Sequence, residues 1–252
     1  MPNLFLSPST QEYNPYYDGV GNEEYYMNLI ADGMVPYLDA SGITFTRNDP
    51  TGRVSNSIAL SNSGDYSLHL ALHSNAAGAA NSGNVRGVDV YYYRDSPAGK
   101  AAAEIVAENL RAVYPNPEAV RTVPTTSLAE LRQTRAPAVL AEIGYHDNSE
   151  DAEWIRANID NIAQAMALSV AEYLNVPFVS PGGLPDTEES RGLVVTGGGR
   201  LNIRDMPDLS GTVIGQAPNG STLALLGREG DWYRVSRGGL TGYSFAQYIK
   251  PL

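Results

Sequence analysis

Residues 137–148 read PAVLAEIGYHDN, and the reading of this stretch decides the fold. Pro137 can open a strand because a first position costs no ladder hydrogen bond. The small and apolar run that follows, Ala138 to Ala141, has the length and composition of a buried strand. Glu142 comes next, ahead of Ile143 and Gly144, so a carboxylate stands at the end of that strand. Ionised carboxylates are rarely buried without a partner, which leaves half of a structural ion pair or a catalytic base as the two roles for Glu142.

Working outward, strands and helices alternate. Leu4 to Leu6 opens a short apolar strand, and Glu23 to Leu38 repeats Met27, Ile30, Met34 and Leu38 at helical spacing until Gly42. Ile43 to Thr46 reads as a strand, Arg53 to Asn62 as a helix, and Tyr66 to His73 and Gly87 to Tyr93 as strands. Ala98 to Val113 carries one apolar stripe and reads as a helix, Leu128 to Leu131 as a short turn, and Glu150 to Leu174 as a closing helix. This order predicts an α/β domain with a mostly parallel sheet covered by helices on both faces. PFVSPGGLPDTEESRG then breaks all periodicity, as a linker does, and short alternating runs between glycine turns follow to the end. The expected organisation is a domain over residues 1–176, a linker over 177–192 and a small all-β SH3-like barrel over 193–252.

At 252 residues and 42% hydrophobic content, the chain is long enough for both domains. A net charge of -11 argues against a nucleic-acid partner, since phosphate binding concentrates Lys and Arg. No run approaches the length of a membrane span. Without cysteine there is no disulfide, thiolate ligand or thiol nucleophile, and a tight metal site would have to be built from His and carboxylates.

The chain has three histidines, His69, His73 and His146. His69 and His73 sit four apart on one strand, on the same face but about 13 Å apart along it, too far to share one ion. His73 ends the strand before the polar turn Ser74, Asn75 and Ala76, at the mouth where α/β sheets bind ligands, whereas His69 lies deeper and reads as a packed histidine. Glu24, in the first turn of the first long helix, can face that mouth, although a first-turn glutamate also serves capping alone.

With these residues in place, LALHSNAAG at 70–78, NEEYYMNLIADGMVPYL at 22–38 and PAVLAEIGYHDN at 137–148 resemble zinc-dependent N-acetylmuramoyl-L-alanine amidases of the amidase family 3 type. The resemblance spans nearly all of residues 1–175. It implies cleavage of the amide between N-acetylmuramic acid and L-alanine of the peptidoglycan stem peptide, with Zn2+ held by Glu24, His73 and a third ligand, and with Glu142 catalytic. The family's first zinc histidine has no counterpart: Ser7-Pro8-Ser9-Thr10-Gln11-Glu12 stands where Asp-Pro-Gly-His-Gly-Gly is expected. Gln11 or Thr10 contributes a weak oxygen ligand, His146 replaces the histidine, which is the preferred arrangement, or the site is catalytically silent and the protein a wall-binding or regulatory one.

Beyond residue 193, LNIRDMPDLSGTVIGQAPNGSTL, GDWYRV and GYSFAQYI resemble the bacterial SH3-like modules found beside cell-wall hydrolases. Trp232, Tyr233 and Tyr243 are candidates for a stacking groove, with Tyr243 the expected exposed one; Asn75 is the expected substrate contact beside the catalytic residues. Peptidoglycan is thus the expected partner and the bacterial cell wall the expected place of action. MPNLFLSPST has no signal-peptide pattern, so the expectation is an export signal already removed or an endolysin-like route to the wall.

Overall fold

The computed structural model describes residues 2–181, 191–237 and 240–252. The chain forms two compact units, Met1–Val176 and Pro177–Leu252. Residues 182–190, most of the expected linker, lie outside the described residues.

The first unit is built on six strands, β1 (Asn3–Pro8), β2 (Thr44–Arg47), β3 (Leu68–Asn75), β4 (Val88–Tyr93), β5 (Val120–Thr125) and β6 (Ala138–Tyr145), in the order β2-β1-β3-β6-β4-β5. All ladders are parallel except β4 against β6. The exception follows from the connections: parallel neighbours need a crossover, usually a helix, and residues 76–87 between β3 and β4 form none.

Six helices accompany the sheet: α1 (Glu23–Ala40), α2 (Val54–Ser63), α3 (Pro97–Arg111), α4 (Ala129–Gln133), α5 (Ser149–Ala157) and α6 (Ile159–Tyr173). Helix α6 packs against α1 and α3, while α2 and α4 pack together and α4 lies against β6 and β4. Strand alternation divides the buried residues between the two layers. Leu70 and Leu72 of β3 are fully buried, each burial stabilising the fold by roughly 1.5–3 kcal/mol. On the opposite face Ala71 packs with Ala138, Leu140 and Leu131 of α4. His69 and His73 share that second face with Ala71, and Glu142 shares it with Ala138 and Leu140, so every candidate of these two strands looks toward α4.

The closing helix expected over 150–174 is two helices. Asn158 separates them in a non-helical conformation (φ -127°, ψ 24°), its side chain donating to the Trp154 carbonyl at 2.9 Å. Strand β5 is absent from the sequence reading, since VRTVPT is polar by turns and contains Pro124, which only an edge strand such as this one tolerates.

The second unit is a seven-stranded antiparallel sheet: β7 (Arg191–Val194), β8 (Arg200–Arg204), β9 (Val213–Pro218), β10 (Thr222–Glu229), β11 (Trp232–Arg237), β12 (Leu240–Phe245) and β13 (Ile249–Pro251). Its core holds Val194, Ile203, Leu223, Leu225, Tyr233 and Val235. Strands approach closely at Gly192, where any side chain would collide with Ile249 and Leu225. Among the described residues, no helix is long and apolar enough to cross a membrane.

Candidate active site

The parallel register of β3 and β6 sets His73 beside Glu142 at the carboxyl ends of the two strands. Immediately beyond, the register shifts by one residue, and Gly144 takes a left-handed conformation (φ +71°) that other residues rarely adopt. Asp151 of α5 fixes this bend. It is fully buried and accepts the Tyr145 and Gly87 amides at 3.0 Å each, the Tyr114 hydroxyl at 2.6 Å and Arg86 Nε at 3.2 Å.

The imidazole of His73 is held between two carboxylates. Its Nδ1 lies 2.7 Å from Glu23 Oε1 and its Nε2 3.3 Å from Glu130 Oε2. Glu130, on α4, also accepts from Ser7 Oγ at 2.5 Å and from His69 Nε2 at 3.1 Å through Oε1, and Ser61 Oγ lies 2.9 Å from His69 Nδ1. One carboxylate thus bridges the two histidines. Burial works against a charged His73, but the hydrogen bonds with Glu130 and Glu23 outweigh it and hold its pKa well above the usual histidine range. Despite burial, the hydrogen bonds with His69 and then His73 pull the Glu130 carboxyl below its usual range, and the contact with His73 does the same for Glu23.

Gln11 completes this corner. Its Nε2 is 3.2 Å from both Glu23 Oε1 and His73 Nδ1, while its Oε1 accepts from Tyr13 at 3.2 Å and Asn14 at 3.3 Å. Asn14 also donates to Glu23 Oε2 at 2.7 Å. The segment carrying Gln11 is pinned farther along by Arg156 of α5, which donates to both Asp18 carboxylate oxygens at 2.7 and 2.8 Å and to the Val20 carbonyl at 2.7 Å. The same guanidinium lies 5.3–5.8 Å from the ring centres of Tyr16, Tyr17 and Tyr26.

Gln11, His73, Glu130 and Glu142 line a cavity of about 350 Å³ that also reaches Asn48 and Ser57. Glu142 Oε2 is out of contact with solvent and has no hydrogen-bond partner among the described residues. Burial, moderated by the nearby His73 charge and reinforced by the carboxylates of Glu23, Asp89 and Glu130, pushes the Glu142 pKa up to about 7.

The structure therefore gathers Gln11, His73 and Glu142 from among the sequence candidates, and adds Glu23, passed over on alignment in favour of Glu24, and Glu130, which the sequence reading missed. Glu24 is not among them. It follows Glu23 by one helical position, which turns it about 100° away, and its carboxylate accepts from Asn28 at 3.2 Å. His146 is also elsewhere: it stacks on Tyr16 at 5.7 Å, and its Nδ1 is 2.8 Å from the Ser74 carbonyl and 3.1 Å from Ser74 Oγ, contacts that fix the turn after β3. The Asn75 side chain accepts from the Ala76 amide at 2.8 Å, a turn contact.

A family model described as N-acetylmuramoyl-L-alanine amidase matches residues 15–172, well over half of the chain. The chain belongs to that amidase family. It is a peptidoglycan amidase, and a second model, described as bacterial SH3 domain, matches residues 199–250 of its C-terminal unit. Among solved structures, the amidase AmiC2 of Nostoc punctiforme superposes with a TM-score of 0.60 at 20% identity, covering 69% of this chain and 97% of its own. The catalytic domain of the amidase CwlV from Bacillus (Paenibacillus) polymyxa var. colistinus gives 0.61 at 19% identity, covering 70% and 99%. The catalytic domain of the CD27L endolysin targeting Clostridia difficile gives 0.54 at 22%, covering 68% and 97%. These likenesses show the shared fold. No curated protein matches the chain.

The family is generally zinc-dependent, and the donors of this amidase can be compared with that need. Glu23 and His73 are donors of the right kind, but the third group at that corner is an amide that presents N–H. Among the described residues, no group of three or more His, Asp or Glu is arranged to hold a metal. The residues do not fit a three-ligand zinc site.

The three aromatic candidates of the SH3-like unit fall in different surroundings. Tyr243 lies on β12 with its hydroxyl donating to Glu229 at 3.0 Å, and Tyr233 is in the core. Trp232 lines a groove with Phe245 and Tyr248 together with Arg200 and Arg204.

Proposed function

We propose that this amidase hydrolyses the amide between N-acetylmuramic acid and L-alanine of the stem peptide in the cavity between β3, β6 and α4, with Glu142 as the proton carrier. The observation that carries this is the buried, unpartnered Oε2 of Glu142 beside His73, on a carboxyl whose pKa stands at about 7. A carboxyl poised there accepts and returns a proton with little loss in either direction. In the reaction a water oxygen attacks the amide carbon as Glu142 takes one of its protons. The tetrahedral intermediate then loses the C–N bond, and Glu142 delivers that proton to the departing nitrogen, leaving an acid and a free amine. The positively charged His73 ring faces the same cavity and favours the negative oxygen of the intermediate. A zinc ion would supply water activation and carbonyl polarisation in such a site, but the donors here do not complete one, and no step is assigned to it.

The SH3-like unit serves as the wall anchor, through the groove of Trp232, Phe245 and Tyr248, and the enzyme acts at the bacterial cell wall. The aromatic faces and flanking arginines of that groove support this role.

Release of stem peptides from purified sacculi tests the chemistry. Glu142→Gln should lower the rate by on the order of 100-fold or more while leaving the fold intact. Full activity in Glu142→Gln removes it from the mechanism. Sacculi that are bound by the unaltered chain but never cleaved would leave a wall-binding or regulatory protein on an amidase fold.

A further inference from the structure

The corner formed by Gln11, Glu23 and His73 has a geometry that belongs to hydrogen bonds. A tetrahedral zinc bound to a carboxylate oxygen and an imidazole nitrogen at about 2.0–2.2 Å each would hold those two atoms roughly 3.3 Å apart. Glu23 Oε1 and His73 Nδ1 are 2.7 Å apart, the separation of a charge-assisted hydrogen bond. Widening the gap requires moving one of the two side chains, and neither is loose. Glu23 is 1% exposed and is held by Asn14 as well as Gln11. The His73 ring is engaged on its far side by Glu130, which is itself engaged by Ser7 and His69.

The third position is closed for a different reason. The oxygen of the Gln11 amide, its only metal-binding atom, is turned to Tyr13 and Asn14, two donors that fix which end of the amide faces inward. The end that faces Glu23 and His73 is the NH2 group. The backbone on either side is tied down as well, with the Gln11 amide donating to Ser9 Oγ at 3.2 Å and its carbonyl accepting the Asn14 amide at 3.3 Å.

We propose that Gln11 and Glu130 together close this amidase site to zinc: Gln11 donates where a third ligand would have to accept, and Glu130 clamps His73 onto Glu23. The working form of the site is the hydrogen-bonded chain Glu23, His73, Glu130, His69. This rests on the same cavity being the reacting centre, and the two ideas are separated by measuring metal binding and stem-peptide release independently.

The test is a zinc titration of the full chain after chelator treatment, followed by calorimetry and by elemental analysis of the dialysed protein. The unaltered chain should take up no zinc at micromolar free metal. Gln11→His, which places an imidazole acceptor at that corner, should bind one zinc per chain at least on the order of 100-fold more tightly. Gln11→Glu, which keeps the shape and replaces the NH2 group by an oxygen, should move affinity in the same direction and serves if histidine disturbs the fold. One tightly held zinc in the unaltered chain, lost in His73→Ala, overturns the proposal. So does equal, weak binding by the unaltered chain and both folded variants, because Gln11 would then not decide access. Stem-peptide release in the presence of chelator reports on the reaction and leaves the zinc result as it stands.

Discussion

His69 Nε2 donates to Glu130 Oε1 across 3.1 Å, with His69 fully buried and Glu130 3% exposed. Burying such a pair brings little net stability, but breaking it strands a polar group in an apolar layer. Here the carboxylate serves His69, His73 and Ser7 at once, so its loss strands three groups.

Glu130→Ala should therefore destabilise the first unit by about 3–5 kcal/mol. Replacing His69 as well should add much less than its separate cost, since the two share one interaction. Denaturant unfolding followed by Trp154 fluorescence in a Trp232→Phe background measures both. Full additivity would show that the two residues act independently.

Glu142 should show the opposite sign. Its folded pKa of about 7 exceeds the ordinary 4.5 because burial disfavours the charge, with His73 opposing and the neighbouring carboxylates reinforcing. The folded state thus binds more protons than the unfolded state between those values, and this group's contribution falls as pH rises from about 4.5 to about 7. Glu142→Gln should stabilise the protein by roughly 3 kcal/mol at pH 8 and change little at pH 4, while lowering turnover by on the order of 100-fold or more. Thermal melts at the two pH values decide it. The rate of the unaltered enzyme should rise through about pH 7 as Glu142 loses its proton, and a rate flat across that region would separate Glu142 from the pH dependence of the reaction.

For the SH3-like unit, Trp232→Ala or Tyr248→Ala should reduce co-sedimentation with sacculi, whereas Tyr243→Phe should not. Trp232 meets Phe245 edge-on at 5.2 Å, and Phe245 lies 6.3 Å from Tyr248, so the three rings form one continuous face. Equal loss in all three variants would point to general damage to the barrel.

Much of the architecture was legible in the chain because period and punctuation coincide there. The apolar run at 137–141, the helical stripe of Met27, Ile30 and Met34, and the glycine-rich turns after residue 193 each specify one element. The reversed β4 was not legible as such, since strand direction is a property of the connection, and only the lack of a helix between β3 and β4 hints at it. In the site, His73 and Glu142 could be found because each ends an apolar strand. The choice between Glu23 and Glu24 could not, because adjacent helical residues differ only by a rotation that the Asn14–Glu23 backbone hydrogen bond of 3.0 Å fixes. Glu130 was hidden in a five-residue helix whose burial depends wholly on the sheet beneath it. His146 lies close to Glu142 in sequence, but Gly144 bends the chain between them and the imidazole packs on Tyr16.

The Arg156 clamp has a further consequence for how the enzyme meets its substrate. The segment from Ser9 to Asn22 contains no strand or helix, and a loop of that kind would ordinarily lose about 1–2 kcal/mol of backbone freedom per residue on being fixed. With Arg156 gripping Asp18 and Val20, and Gln11 and Asn14 bonded to Glu23, that ordering is completed during folding. These bonds are all made within the chain, so a ligand entering the cavity would meet a wall already held, and little of the binding free energy would go into ordering it. The stability of the whole domain, rather than the affinity of the site, bears the cost of keeping it ready.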